Sequence, residues 1–294
     1  MLEHHYAEVN NIRLHYVTSG EAKNRKLILF VHGFPEFWYE WESQLLEFGK
    51  DYFAVAPDLR GFNLSAKPTE VKQYRAHHIV EDLHLLAETL GYRKFILVAH
   101  DWGGAAAWQF AISHPQLLEK LIIINSPHPL TFMRELINNP AQQAASRYMN
   151  FFRTDKAEAA LQENNYARLC KMMEMGTNTA WFNDEVKAKY IQAWSQPGAL
   201  TGGLNYYRAT PMYPPTENDP GPTALKLDPA QFRINVPTLV IWGEKDSALL
   251  ASNLDGLDEY VGDLQVKKIA DGSHWVSHEK PELVNQTIRQ FIQS

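Results

Sequence analysis

The chain has 294 residues, 45% hydrophobic and 21% charged, a globular composition with enough apolar mass for a sizeable core, which excludes a disordered or fibrous protein. A formal charge of -6 and the lack of any Lys/Arg block leave no basic field to attract nucleic acid or an anionic lipid surface. No apolar run approaches the length of a membrane span, and the opening "MLEHHYAEVNNIRLHY" has no basic region followed by an apolar one, so a cytoplasmic protein is expected.

In chain order, "AEVNNIRLHYVTSG" reads as a hairpin, and "KLILFVHG", "YFAVAPDL", "FILVAH" and "KLIIINS" are short apolar, β-branched runs of the kind buried in a parallel sheet. Among the helical patterns between them, "HHIVEDLHLLAETLG" puts Ile79, Leu83, Leu86 and Leu90 on one face and ends at Gly91, a natural C-terminal cap. This alternation predicts an α/β fold with a mostly parallel, doubly wound sheet. From about Pro127 the pattern is helical and offers no buried strand, until the Pro-rich "TPMYPPTENDPGPT" makes an extended connection back. "VPTLVIWGEKD" and "LQVKKIADGSHW" then resume the strand pattern, and "KPELVNQTIRQFIQS" is an amphipathic closing helix. The expected organisation is a core of residues 1–128 and 223–294 with a helical cap, 129–222, inserted between its parts.

The single cysteine, Cys170, lies in the helical "YARLCKMMEM" and reads as a small buried hydrophobe. The twelve histidines include the adjacent pairs "EHHY" and "AHHI", which lack the i, i+4 spacing that aims two imidazoles at one ion, and no metal, nucleotide or flavin motif is present.

Open α/β sheets bind ligands beyond the carboxyl ends of their strands. Four such ends carry chemistry: "HGFP" (32–35), "HDWGG" (100–104), "GEKD" (243–246) and "GSHW" (272–275). A sharp strand-to-helix elbow needs small flanking residues, and Ala99, Gly103 and Gly104 supply them around Asp101. Alone, Asp101 would be a helix cap. Asp246 and His274 at later strand ends complete the order nucleophile, acid, histidine, which selects the nucleophile reading over the cap. His278 is a competing imidazole but falls at the start of a helical segment, and Asn125, at the other place for a triad acid, does not ionise.

A carboxylate is already ionised at neutral pH and attacks carbon without a base, leaving His274 free to activate water for the second step. Attack on an sp³ carbon gives an alkyl ester on the enzyme, and hydrolysis of that ester passes through an oxyanion. The backbone N–H groups of Phe34 and Trp102 are placed to stabilise it, with Pro35 holding the loop, through a cis peptide in one reading.

"VHGFPEFWYEW", "DLRGFNLSAKP", "AHDWGGAAAW", "WGEKD" and "GSHWVSHEKP" together resemble the epoxide hydrolases of the α/β-hydrolase fold over nearly the whole core. The resemblance implies attack by Asp101 on an epoxide carbon, release of a vicinal diol, no cofactor, and two cap tyrosines that donate protons to the opening ring. Tyr207, before Arg208 in "GGLNYYRA", and Tyr148, in "ASRYMNFFR", match the family's positions, with Tyr206, Tyr166 and Tyr190 as rivals. Haloalkane dehalogenases share the Asp-Trp elbow, but Phe34 stands where they often place a side-chain amide donor. Haloacid dehalogenases need carboxylate-clamping arginines where this chain has Trp102 and Ala105. A non-catalytic binding module on the same fold is the alternative from another class. The substrate expected is a small hydrophobic epoxide, held by Phe37, Trp38, Phe152 and Trp275, with Trp102, Phe132 and Met149 as further candidates and Trp108 equally a core residue.

Overall fold

Asn10 and Asn11 join β1 (Leu2–Val9) to β2 (Ile12–Ser19) with φ of 48° and 59°. Two left-handed residues make the tight turn whose twist suits a hairpin, and asparagine tolerates that region well. The computed structural model describes residues 1–23 and 25–294. After the hairpin the strands are β3 (Leu27–Val31), β4 (Phe53–Pro57), β5 (Phe95–His100), β6 (Leu118–Ile124), β7 (Thr238–Gly243) and β8 (Leu264–Ile269). They form one sheet in the order β1-β2-β4-β3-β5-β6-β7-β8, antiparallel as far as the β2/β4 pair and parallel from β4 onward.

Both faces of the parallel part are covered from β4 across to β7, which is why those strands read as largely apolar runs, whereas the edge strand β8, LQVKKI, is mostly exposed. Leu27, Leu29 and Val31 of β3 point into one core, shared with the buried faces of α2 (Ala76–Thr89) and α3 (Asp101–Ser113); Ile28 and Phe30 point into the other. That second core is closed by Leu45 and Phe48 of α1 (Glu42–Phe48) and, from the far end of the chain, by Val284, Ile288 and Phe291. In α2 the predicted stripe of Ile79, Leu83 and Leu86 is buried, Leu90 is partly so, and Gly91 at φ 88° follows the helix end.

Between β6 and β7 the chain forms α4 (Pro129–Asn138), α5 (Pro140–Ala145), α6 (Arg147–Phe152), α7 (Ala157–Met173), α8 (Asp184–Trp194) and α9 (Ala199–Ala209), the seventh broken at Glu163–Tyr166 by non-helical backbone. Two further helices close the chain, the single turn α10 (Val276–Glu279) and α11 (Pro281–Gln293). The α8 and α9 helices touch the loops that leave the strands: Trp194 Nε1 donates to the Pro35 carbonyl at 2.6 Å, and the Tyr206 hydroxyl donates to the Arg60 carbonyl at 3.0 Å. Strand order reverses at β3, whose neighbours are β4 and β5, so the crevice expected for ligand opens between the ends of β3 and β5. No helix among the described residues is long and apolar enough to cross a membrane.

Candidate active site

β5 ends at His100 and α3 begins at once, with Asp101 at φ 48°. A non-glycine residue in this region is strained by its Cβ, so the turn is held by its surroundings. The Ser126 hydroxyl donates to the Asp101 carbonyl at 2.7 Å, and the Phe34 N–H donates to its Oδ1 at 2.8 Å. Small residues are needed because the elbow presses on β3 and its loop: a Cβ on Gly103 would lie 2.3 Å from the Val31 carbonyl oxygen, and one on Gly33 2.3 Å from Asp101 Oδ1. Trp102 sits in the first turn of α3, where an N–H has no helical carbonyl to bond. The Phe34–Pro35 peptide is cis.

His274 Nδ1 lies 2.7 Å from Asp246 Oδ2, and its Nε2 lies 3.7 Å from Asp101 Oδ2. The other carboxylate oxygen of Asp246 accepts the N–H groups of Ala248 and Leu249, at 2.8 and 2.9 Å. Burial raises the Asp246 pKa, but the charge and hydrogen bond of His274 outweigh it, and the net effect holds Asp246 below its ordinary value. For His274 burial works downward, while Asp246 and then Asp101 act upward and win, bringing it up to about 9. Under this ring, at 4.6 Å between centroids, lies His100, which burial and the neighbouring His274 hold at about 4. His278 points elsewhere, its Nε2 3.1 Å from Glu36 Oε1 and its ring stacked 3.9 Å from Trp181.

A cavity of about 540 Å³ reaches Asp101 and Trp102 and is lined by Tyr148, Tyr207, Phe132 and Met149 among others. The Tyr148 and Tyr207 rings are 6.0 Å apart, and Tyr207 stands edge-on to Trp102 at 5.0 Å. Burial first, then nearby groups including Asp101, pushes both phenols well above their ordinary pKa. The rivals spend their hydroxyls elsewhere, Tyr190 on Glu36, Tyr206 on the Arg60 carbonyl and Tyr166 on the Trp194 carbonyl.

Phe37, Trp38, Phe152 and Trp275, expected at the substrate, are not among the residues that line this cavity. Phe37 packs edge-on against Tyr190, Trp38 against His4 and Phe37, and Trp275 beside His274 with its Nε1 donating to the Met172 carbonyl. Phe152 lies 5.0 Å from Tyr207 and 5.3 Å from Tyr148, buttressing both tyrosines from outside the cavity. Trp108 is a core residue, fully buried, with its Nε1 bonded to the Ser126 carbonyl.

A family profile described as the alpha/beta hydrolase fold matches residues 26–281. Epoxide hydrolase 1 of Caenorhabditis elegans is 37% identical over 98% of this chain and 69% of its own length, and the AB hydrolase superfamily protein YfhM of Bacillus subtilis is 36% identical over 98% and 97%. The crystal structure of a Bacillus megaterium epoxide hydrolase with an inhibitor matches at TM-score 0.89 and 37% identity, covering 99% of this chain and 100% of that one. This chain belongs to the epoxide hydrolases of the α/β-hydrolase fold.

For an epoxide hydrolase the sequence left several supporting residues unread. Asn125, set aside because it does not ionise, donates through Nδ2 to Asp246 Oδ2 at 2.8 Å while its Oδ1 accepts the Gly243 N–H at 2.8 Å, so it clamps the acid to the end of β7. The clue was its place at the end of β6, the strand beside β7. Glu36, in the loop after β3, accepts from Tyr190 of α8 and faces His278 of α10.

Proposed function

We propose that the protein hydrolyses a small hydrophobic epoxide to a vicinal diol through an ester on Asp101, in a site covered by the helical segment 129–222. The observation that carries this reading is a nucleophile facing two phenols, Tyr148 and Tyr207, that are kept protonated at the wall of one apolar cavity.

In the first step Asp101 Oδ2 attacks an epoxide carbon in line with the C–O bond, which breaks as its electron pair moves to the ring oxygen. Tyr148 and Tyr207 hydrogen-bond that oxygen, and one of them supplies its proton. Once the ester has formed, the imidazolium of His274 gives up its proton to the phenolate left by the first step; in the second step the neutral ring takes a proton from water, whose oxygen adds to the carboxyl carbon of the ester. Charge then gathers on Asp101 Oδ1, which the Phe34 N–H already contacts at 2.8 Å and to which the Trp102 N–H is assigned as second donor, each such donor being worth about 2.7–4 kcal/mol. Collapse expels the diol, whose departing oxygen takes the imidazolium proton, and leaves the oxygen of water on Asp101, whose carboxyl proton returns to His274 and restores the resting pair. Asp246, held by Asn125, stabilises the imidazolium in this step.

The test incubates the enzyme with styrene oxide and, separately, with a bromoalkane. Diol formation that disappears in Asp101→Ala supports the epoxide reading, bromide release alone would replace it with dehalogenation, and neither reaction would leave a binding module. One turnover in ¹⁸O-water should put the label in Asp101 and not in the first-cycle diol; label in that diol would exclude the ester.

A further inference from the structure

Glu81 and His84 lie one turn apart on α2, and His114 follows the last residue of α3. The packing of these helices brings the three together: His84 Nδ1 is 3.6 Å from Glu81 Oε2, and the His84 and His114 rings are 5.1 Å apart. One donor atom from each residue lies within 4.8 Å of the other two. All three side chains are half-buried, so an ion between them would be partly shielded and still reachable from solvent.

Two hydrogen-bonding details orient this cluster. The Ser113 hydroxyl donates to the Gln109 carbonyl at 2.8 Å, so its oxygen is left to accept from His114 Nδ1 at 2.9 Å. That bond puts the His114 proton on Nδ1 and leaves the Nε2 lone pair unprotonated, the outer arrangement that fixes a ligating histidine in metal sites. His84 Nδ1 is buried with no hydrogen-bond partner among the described residues, although it faces a carboxylate. A buried ring nitrogen left unpaired carries a desolvation cost that a bound cation would remove.

We propose that Glu81, His84 and His114 form a binding site for a divalent transition ion of the zinc type, with water as fourth ligand. Two imidazoles and one carboxylate suit such an ion, whereas magnesium and calcium call for oxygen donors. Tetrahedral ligation at about 2.0–2.1 Å separates neighbouring donors by about 3.3 Å. The Glu81 and His84 pair is already close to that, and rotation of half-buried side chains closes the rest. The site ties α2 to the end of α3 opposite Asp101, about 20 Å along a helix of 13 residues, so it acts on the scaffold and not on the reaction.

The experiment titrates ZnCl2 into the metal-stripped full-length enzyme by calorimetry, alongside His114→Ala, His84→Gln and the control His77→Ala, an exposed histidine of the same helix. One zinc per chain is expected, weakened at least about 10–100-fold in His114→Ala and His84→Gln and unchanged in His77→Ala. At a free zinc concentration of about 100 times Kd the unmodified enzyme should gain about 4 °C in Tm, by mass action on a 294-residue chain, and MgCl2 should give no gain. No binding below millimolar zinc, or binding undiminished in both site variants, would overturn the proposal.

Discussion

Replacing Asp101 with asparagine should lower the His274 pKa, and the size of the fall tests how the proposed enzyme divides its two steps. His274 stands at about 9 because Asp246 and Asp101 together outweigh the burial that pushes it down. In the amide variant, as in the alkyl ester, the charge 3.7 Å from Nε2 is gone. Two unit charges at that distance attract by about 4 kcal/mol at an effective dielectric constant of 20, equivalent to about three pKa units. The two side chains are 12% and 11% exposed, so solvent cuts the attraction, and a fall of about one to three units is expected. Titration of the imidazole by ¹⁵N NMR in both proteins measures it, with mass spectrometry showing that the amide is intact. His278, paired with Glu36, is the internal reference and should keep its position in both proteins. A His274 shift below about half a unit would refute the reasoning, because esterification could not then release the base.

Tyr207→Phe and Tyr148→Phe should each lower kcat for diol formation by about 10²-fold and leave the fold unchanged, measured by initial rates, while the double variant should approach the loss of a general acid, about 10⁴-fold. Gly103→Ala should lower Tm by about 2–5 °C, from about 1–3 kcal/mol of overpacking spread over a 294-residue chain, since its Cβ would press on the Val31 carbonyl; an unchanged Tm would mean the elbow yields easily. Stability should fall as pH rises from 6.5 to 9.5. The folded pKa of His274 is raised from 6.5 to about 9, so its contribution is complete below 6.5 and lost as pH passes through 9; the raised His278 acts in the same direction. The His274 part is about 3 kcal/mol, or about 5 °C in Tm, and a flat melting profile across this range would contradict it.

The residues legible in the sequence are those that punctuate a strand. Asp101 and Asp246 follow apolar runs and His274 follows the more polar strand pattern of β8, and a doubly wound sheet delivers the ends of its parallel strands to one edge. Phe34 was legible for the same reason, because it leaves the strand next to the one that carries Asp101. Which aromatic residues meet the cavity was not. Phe37, Trp38, Phe152 and Trp275 have the right composition and stand near the right motifs, and they pack against Tyr190, His4, Tyr207 and the Met172 carbonyl respectively. That choice depends on how α6, α8 and α9 settle on the sheet edge, which no local period records. Asn125 was misread by chemistry: it does not ionise, but an amide offers a donor and an acceptor at once, and it uses both. The Glu81, His84 and His114 cluster has no single helical period to announce it, because its third member stands at the end of another helix.

The proposed reaction asks one small set of atoms to do opposite things in succession, and their arrangement explains how. While Asp101 bears its charge, His274 is held as a cation between two carboxylates, so it has no lone pair with which to activate water prematurely. Alkylation removes one of the two charges, the imidazole pKa falls, and the base becomes available only once there is an ester to hydrolyse. The Phe34 N–H changes its worth in the same sequence. In the resting state it already donates to Asp101 Oδ1, so it adds little to a first step that drains charge from the carboxylate. Against the neutral ester, the same N–H meets growing negative charge and speeds hydrolysis without having to move. The strained φ at Asp101, the missing Cβ at Gly33 and the hydroxyl of Ser126 all serve to hold that one oxygen against that one donor. Loosening the elbow should therefore slow breakdown of the ester more than its formation, because only breakdown draws on a donor fixed in advance.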